Sequence, residues 1–118
     1  GWACVNCRKM EEQVWSQPKV FNILNDDYIV ISLYVDDRKE LATDMQFDYL
    51  KHNGTVKKIK TIGDKWATLQ TINFKNNSQP YYVLLNHNME LLNHTTAYTP
   101  DIEEYYNWLK TGLKNFKN

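Results

Sequence analysis

The sequence predicts an α/β domain in which helices flank a mixed β-sheet. Two apolar runs, at positions 28–35 and 81–85, have the composition of strands that are buried by neighbouring elements. Around them, apolar residues recur at helical spacing in several segments. The chain has 118 residues, enough for one modest core, and shows neither an internal repeat nor a linker. We therefore expect one domain over residues 1–118.

The overall composition argues against several classes of function. Fourteen basic and fourteen acidic residues give a formal net charge of zero, so nothing indicates nucleic acid or an anionic membrane as a partner. No apolar run approaches the length of a membrane span, and we expect this domain not to cross a membrane. No signal peptide is visible, and two cysteines do not by themselves fix the compartment.

Both cysteines of the chain lie in one short stretch near its start, which opens with Trp2. Cys4 and Cys7 are three residues apart, and Met10, Val14 and Trp15 then follow at helical spacing. The pattern places Cys4 at the N-terminus of a helix and Cys7 one turn later. Free N–H groups and the helix dipole stabilise a thiolate there, and the thiolate is the nucleophile in disulfide exchange. The spacing therefore predicts a redox-active pair, in which one sulfur attacks and the other resolves the mixed disulfide.

Three other roles are possible for two cysteines at this spacing. A structural disulfide would close a very short loop and remove little entropy from the unfolded chain. A zinc site needs four ligands, and the sequence has no second CxxC and no closely spaced histidines. Haem attachment needs histidine directly after the second cysteine, where this chain has Arg8. No metal or other cofactor is expected beyond the redox-active disulfide itself.

The first half of the chain predicts a helix, a strand and a hairpin. Ser16 is a suitable N-cap and Pro18 a suitable first-turn residue for a second helix that ends around residues 25–27. Residues 28–35 are nearly continuous in β-branched and apolar side chains, which predicts a strand covered on both faces. The pair Asn53-Gly54 predicts the turn of a small hairpin, with lysines protecting its edge from aggregation.

The second half predicts a helix, a hairpin and a final helix. The first of these begins near Gly63, and an apolar strand at residues 81–85 then pairs with residues 89–92. Thr99 and Pro100 have the chemistry of an N-cap and a first helical position. The residues predicted for the buried stripe of the last helix are Ile102, Tyr106, Leu109, Leu113 and Phe116. Gly112 is expected to weaken this helix.

Pro80 directly precedes the second apolar strand, where it cannot donate a hydrogen bond to a sheet. One interpretation is a plain proline at the start of a strand. The other is a cis peptide bond between Gln79 and Pro80, packed beside the cysteines. A cis peptide there would leave the backbone of Gln79 free to pair with an incoming peptide. The sequence leaves both interpretations open.

The order of these elements resembles the thioredoxin fold, and the motifs resemble one family in detail. The run from Cys4 to Glu11 and the segments 14–20 and 33–37 are similar to the C-terminal periplasmic domain of DsbD-type thiol:disulfide interchange proteins, in the version of Bacteroidetes-like bacteria. Residues 62–66 and 98–101 and the Gln79-Pro80 pair are similar as well. The resemblance spans nearly the whole chain and implies a thioredoxin-like fold.

The resemblance also implies a role for each matching residue. Cys4 matches the nucleophilic cysteine, Cys7 the resolving cysteine and Pro80 the cis-proline. Glu11 matches an acidic residue near the cysteines, and a carboxylate one turn after Cys7 would raise the thiol pKa. Trp2 and Gln79 are predicted to support the site.

The implied activity is that of a dithiol reductase in the periplasm, as part of an inner-membrane protein or tethered to one. It would receive electrons from a membrane-embedded donor domain and pass them to periplasmic proteins that contain disulfides. A disulfide isomerase or oxidase, and a thioredoxin-like binding module with a structural CxxC, are the alternatives. The sequence departs from the family in two ways. The strand that normally precedes the CxxC is missing, and Val5-Asn6 replaces the Gly-Pro of thioredoxin between the cysteines.

Overall fold

The computed structural model describes residues 4–51 and 54–117. Their secondary structure is mixed, with four α-helices and a two-stranded antiparallel sheet. The chain forms two compact units. The cysteine unit comprises residues 4–31 and 78–117, and the hairpin unit comprises the described residues from 32 to 77. The α/β class is therefore confirmed, whereas the thioredoxin-like fold and the single domain stay predictions.

The helix predicted after the cysteines is confirmed. Helix α1 (Val5–Lys9) continues into one wider π-helical segment (Met10–Trp15), so the helical backbone runs without a break from the cysteines to Trp15. Met10 and Val14 are fully buried. These two side chains hold the cysteine-bearing helix against the core of its unit.

The second helix, α2 (Pro18–Asp27), has the predicted proline in its first turn. Its N-cap is Gln17, which makes no side-chain capping bond, so the assignment of Ser16 as the cap was wrong. The Ser16 hydroxyl instead donates to the Glu12 carbonyl, 2.5 Å away, because this residue still follows the preceding helical segment. The Ser16 hydroxyl could cap α2 or bond back to the preceding helical turn, and it bonds back to the preceding turn.

The strand predicted at residues 28–35 is absent from the described structure. The segment leaves α2 at Tyr28 in extended geometry, but no strand pairs with it within the described residues. Ile29 is 89% exposed and Ile31 is 76% exposed. A run of β-branched residues forms a strand only where a neighbouring strand is available to pair with it. The mixed sheet predicted from the sequence is likewise not seen in the parts of the chain that the structure covers.

The predicted hairpin is confirmed. Strand β1 (Phe47–Leu50) pairs antiparallel with β2 (Val56–Ile59), and Leu50 lies opposite Val56 beside the turn. Gly54 has φ of +88°, a left-handed conformation that suits glycine. Asn53, the other residue of the predicted turn, lies outside the described residues. Local turn chemistry thus sets the register of this sheet.

Helix α3 (Ile62–Phe74) follows the hairpin directly. Thr61 and Asp64 form a reciprocal capping box, in which each side chain accepts a hydrogen bond from the other residue's backbone N–H. Burial acts to raise the pKa of Asp64, but the N–H donors of Lys60 and Thr61 outweigh it and lower the pKa. This cap fixes the point at which the chain changes from strand to helix.

The second predicted hairpin forms only isolated bridges, between Tyr82 and Thr96 and between Leu85 and Leu91. Two residues lie between the two bridge positions on the first side, whereas four lie between them on the second. The extra residues interrupt the ladder, as a bulge does, so no continuous strand develops. The strands predicted at 81–85 and 89–92 are therefore wrong in extent, although the chain does reverse between them.

Helix α4 (Ile102–Lys117) closes the cysteine unit. Its first turn is capped by Asp101, whose carboxylate accepts from the Glu104 N–H at 3.0 Å, so the cap at Thr99 was wrong. The predicted stripe was also shifted. The buried members of this helix are Tyr105, Trp108, Leu109 and Gly112, whereas Phe116 is 44% exposed.

Gly112 lies in the tightest part of this packing. A Cβ atom at this position would collide with Leu84 Cδ1 and lie 3.0 Å from the Tyr28 hydroxyl. Glycine therefore allows α4 to approach the rest of the unit closely, and the expectation that it merely weakens the helix was incomplete. The core around it consists of eight buried residues: Met10, Val14, Val20, Ile23, Leu84, Tyr105, Trp108 and Leu109.

Candidate redox site

The two cysteines are joined to each other at the start of α1. Cys4 has an extended backbone, with φ of −87° and ψ of 103°, and its Sγ accepts a hydrogen bond from the Cys7 N–H at 3.1 Å. The Cα atoms of the disulfide-bonded pair are 5.2 Å apart. Both residues are half-buried. The predicted placement of Cys4 at the helix N-terminus is therefore confirmed, and its sulfur satisfies one of the unpaired N–H groups of the first turn.

The helix that carries the cysteines is fixed at its other end by aromatic contacts. The Trp15 indole N–H donates to the Tyr105 hydroxyl at 3.1 Å. The Tyr82 ring packs near both residues, with its centroid 6.0 Å from that of Trp15 and 5.4 Å from that of Tyr105. Trp108 joins the same cluster. This cluster, which the sequence analysis missed, ties the cysteine-bearing helix to α4.

Glu11 forms an ion pair with Arg8, the residue that follows the second cysteine. Arg8 Nη1 lies 3.2 Å from one carboxylate oxygen of Glu11 and 3.5 Å from the other, and both side chains are partly exposed. The spacing of three residues between Arg8 and Glu11 is a signal for such a pair that was missed in the sequence. An effect of Glu11 on Cys7 stays a prediction.

Three tyrosines of the cysteine unit hold their protons more strongly than usual. Burial, followed by the charge of Asp27, raises the pKa of Tyr28 to about 12, and the backbone of Leu113 opposes this shift. Burial is also the first cause for Tyr82 and Tyr105, whose pKa values are raised further. The carboxylate of Glu11 contributes to the shift of Tyr82, which places that charge near the aromatic cluster.

The peptide bond between Gln79 and Pro80 is cis, so the predicted cis geometry is confirmed, whereas its packing beside the cysteines stays a prediction. Pro80 is buried and Gln79 is exposed. Two residues later, Tyr82 exchanges both backbone hydrogen bonds with Thr96, at 2.7 and 3.1 Å. Pairing of Gln79 with an incoming peptide stays a prediction. Trp2, the remaining predicted site residue, lies outside the described residues.

The described residues hold neither a cluster of metal-binding side chains nor a helix fit to span a membrane. No group of three or more His, Cys, Asp or Glu side chains in residues 4–51 and 54–117 is arranged to hold a metal ion. Over the same residues, no helix combines the length and apolar character that a membrane crossing needs.

Comparison with known proteins leaves the family of this chain open. The sequence matches no protein-family model, and it matches no curated protein. The likeness to DsbD-type domains is therefore carried by the quoted motifs alone. The geometry of the cysteine pair is the evidence on which a functional proposal depends.

Proposed function

We propose that this protein is a thiol–disulfide oxidoreductase that works as a dithiol reductase through Cys4 and Cys7. The observation that carries the proposal is the position of the pair. Cys4 Sγ accepts the Cys7 N–H at the start of a helix, where the same N–H would stabilise a Cys4 thiolate after reduction. The helix is anchored by the buried side chains of Met10 and Val14, so the two cysteines stay within one turn of the same helix through the cycle.

The proposed reaction moves two electrons from the dithiol to a partner disulfide. The Cys4 thiolate attacks one partner sulfur, so a Cys4–partner bond forms as the partner's S–S bond breaks, and the leaving thiolate takes up a proton. Cys7 then loses its proton and attacks Cys4 Sγ, which releases the second partner thiol. The protein is left with the Cys4–Cys7 disulfide, the form present in the structure.

Neighbouring residues would tune these steps. The Glu11 carboxylate, one helical turn after Cys7, would oppose a second negative charge in the site while Cys7 is deprotonated. Its ion pair with Arg8 restrains where that charge lies. Gln79, exposed beside the cis peptide bond, would offer its backbone to a partner strand.

The direction of electron flow and the location come from the likeness to DsbD-type domains. In the proposed cycle, a dithiol of a membrane-embedded donor domain reduces the Cys4–Cys7 disulfide, and the reduced pair then serves disulfide-containing proteins of the periplasm. A redox potential characteristic of a reductant would support this direction, whereas an oxidising potential would favour the isomerase or oxidase alternative.

Trapping of a mixed disulfide tests the assigned order of attack. In the Cys7→Ala variant, Cys4 has no resolving partner, so we expect it to accumulate as an adduct with an oxidised disulfide peptide. The adduct is measured by mass spectrometry before and after treatment with a reductant. Cys4→Ala is the matched control and should form much less adduct. More adduct with Cys4→Ala would reverse the order, and no adduct with either folded variant would indicate a structural disulfide.

A further inference from the structure

The charge of the chain is unevenly distributed, with a basic excess in the hairpin of the hairpin unit. Residues 47–60 contain four lysines and one aspartate, a net charge of +3. Because the whole chain is neutral, the remaining residues carry a net charge of −3. A surface of this kind attracts an anionic partner even when the protein as a whole does not.

The same hairpin exposes apolar side chains beside its turn. Leu50 and Val56 lie directly opposite each other in the sheet, and they are 66% and 59% exposed. Asp48 and Lys58, which flank them on the same sheet face, are exposed as well. This face of the hairpin therefore has no covering element within the described structure.

Apolar and basic groups are arranged along the hairpin in a definite order. The apolar pair is nearest the turn, together with exposed Lys51. Lys58 lies two residues further along β2 from Val56, and Lys60 directly follows the end of that strand. At about 3.3 Å per residue, Lys58 is about 7 Å from the apolar pair. Half of Lys57 is covered, and its charge acts on Asp64, so it contributes less to the surface.

We infer that this hairpin docks on the surface of an anionic phospholipid bilayer. Leu50 and Val56 would enter the region between head groups and acyl chains, and Lys51, Lys58 and Lys60 would contact lipid phosphates. The aliphatic parts of lysine side chains tolerate such positions while their ammonium groups remain at the phosphates. This inference goes beyond the proposed redox function and does not depend on it.

Charge complementarity favours this surface over a second exposed apolar segment, at residues 29–31. Ile29 and Ile31 are even more exposed than the hairpin residues, but they follow Asp26 and Asp27 at the end of α2. An anionic bilayer would repel those carboxylates, whereas the one carboxylate on the hairpin face, Asp48, lies directly opposite Lys58 and is outnumbered by lysines. Residues 29–31 therefore serve as a control for the hairpin, because they expose apolar side chains next to acidic residues instead of lysines.

Co-sedimentation of the whole chain with vesicles tests the inference. Vesicles of phosphatidylcholine with about 30% phosphatidylglycerol should retain the protein, and vesicles of phosphatidylcholine alone should not. Raising the ionic strength from about 0.05 M to about 0.5 M should release it, because salt screens surface charges. This salt test needs no variant, so it remains decisive if a substitution disturbs folding. Absence of binding, or equal binding to both vesicles, would overturn the inference and leave an acidic protein as the alternative partner.

Two pairs of matched variants separate the basic and apolar contributions. Lys58→Gln with Lys60→Gln should weaken binding about 25-fold, since each lysine near an anionic surface contributes about fivefold. The same charge change at Lys114 and Lys117, which are exposed in the last turn of α4, should alter it less than about twofold. An equal loss in both pairs would show a general charge effect and overturn the assignment to the hairpin.

The apolar pair is tested in the same way. Leu50→Thr with Val56→Thr keeps side chains that suit a strand and should weaken vesicle binding roughly tenfold. Ile29→Thr with Ile31→Thr is the control and should leave binding within about twofold, because that segment does not contact the bilayer. Circular dichroism and a denaturation curve verify the fold of each variant. Unchanged binding by the hairpin variant would contradict the insertion of its apolar residues.

Discussion

Replacement of Gly112 with alanine tests the packing that holds α4 in the cysteine unit. In an exposed helix this substitution stabilises, because alanine is favoured over glycine by about 1 kcal/mol. Here the added methyl group would collide with Leu84 Cδ1 and approach the Tyr28 hydroxyl to 3.0 Å. Leu84 is itself in the buried core, so its side chain has little room to move.

The two contributions have opposite signs and can be compared. Overpacking of a tight core costs about 1–3 kcal/mol, which exceeds the gain in helix propensity. We therefore expect Gly112→Ala to lower the free energy of unfolding by about 1 kcal/mol, or the melting temperature by about 4 °C. Thr111→Ala, at the exposed neighbouring position, is the control and should raise stability by a few tenths of a kcal/mol.

A double-mutant cycle assigns the loss to its contact. Leu84→Ala alone should cost about 2–4 kcal/mol, because a buried side chain is truncated. In the Gly112→Ala background it should cost less, by about 1 kcal/mol, since the collision has been removed. Urea denaturation followed by circular dichroism measures all four proteins. A Gly112→Ala variant more stable than its parent, with no coupling to Leu84, would refute the close approach of α4.

Two further predictions concern tyrosine and tryptophan in the cysteine unit. In the folded protein the pKa of Tyr28 is raised to about 12, above its ordinary value of 10. The contribution of neutral Tyr28 to the free energy of unfolding is therefore complete below pH 10 and is lost as the pH rises towards 12. The difference in free energy of unfolding between the parent protein and Tyr28→Phe should therefore shrink by about 1 kcal/mol between pH 10 and pH 12, after allowance for the partial exposure of Tyr28. Urea denaturation at each pH measures this difference, and a difference that does not change with pH would contradict the prediction. Trp15→Phe removes the donor to the Tyr105 hydroxyl and should cost about 1–2 kcal/mol, whereas an unchanged denaturation midpoint would show that the bond is not maintained.

Features set by local chemistry were predictable from the sequence. The hairpin follows from a turn signal that includes Gly54, and α2 follows from a proline at its first position. The errors at the helix starts have a local cause too. Thr99 and Asp101 are both competent caps two residues apart, and only the three-dimensional structure shows that Asp101 is used.

Features that need a partner distant in sequence were not predictable. The apolar run at residues 28–35 signals a preference for strand geometry, but it does not specify a pairing strand. The close approach at Gly112 likewise depends on Leu84 and Tyr28, which sequence spacing alone does not bring together. The buried stripe of α4 was shifted for the same reason, since its true face is set by the core that it meets.

In the candidate site, too, local features were predictable from the sequence and long-range contacts were not. The spacing of Cys4 and Cys7 was enough to predict their place at a helix start, because both residues belong to one turn. The cis peptide at Pro80 remained one of two interpretations until the backbone was seen. The bond between Trp15 and Tyr105 joins residues 90 positions apart, and no local signal indicates it.

The reduction potential of the Cys4–Cys7 pair tests the central claim most directly. The protein is equilibrated with mixtures of reduced and oxidised glutathione, and the fraction of disulfide is measured after the thiols have been trapped by alkylation. A dithiol reductase should give a potential near that of thioredoxin, roughly −270 mV. A potential near roughly −120 mV would make the pair an oxidant and contradict the proposed direction of electron flow.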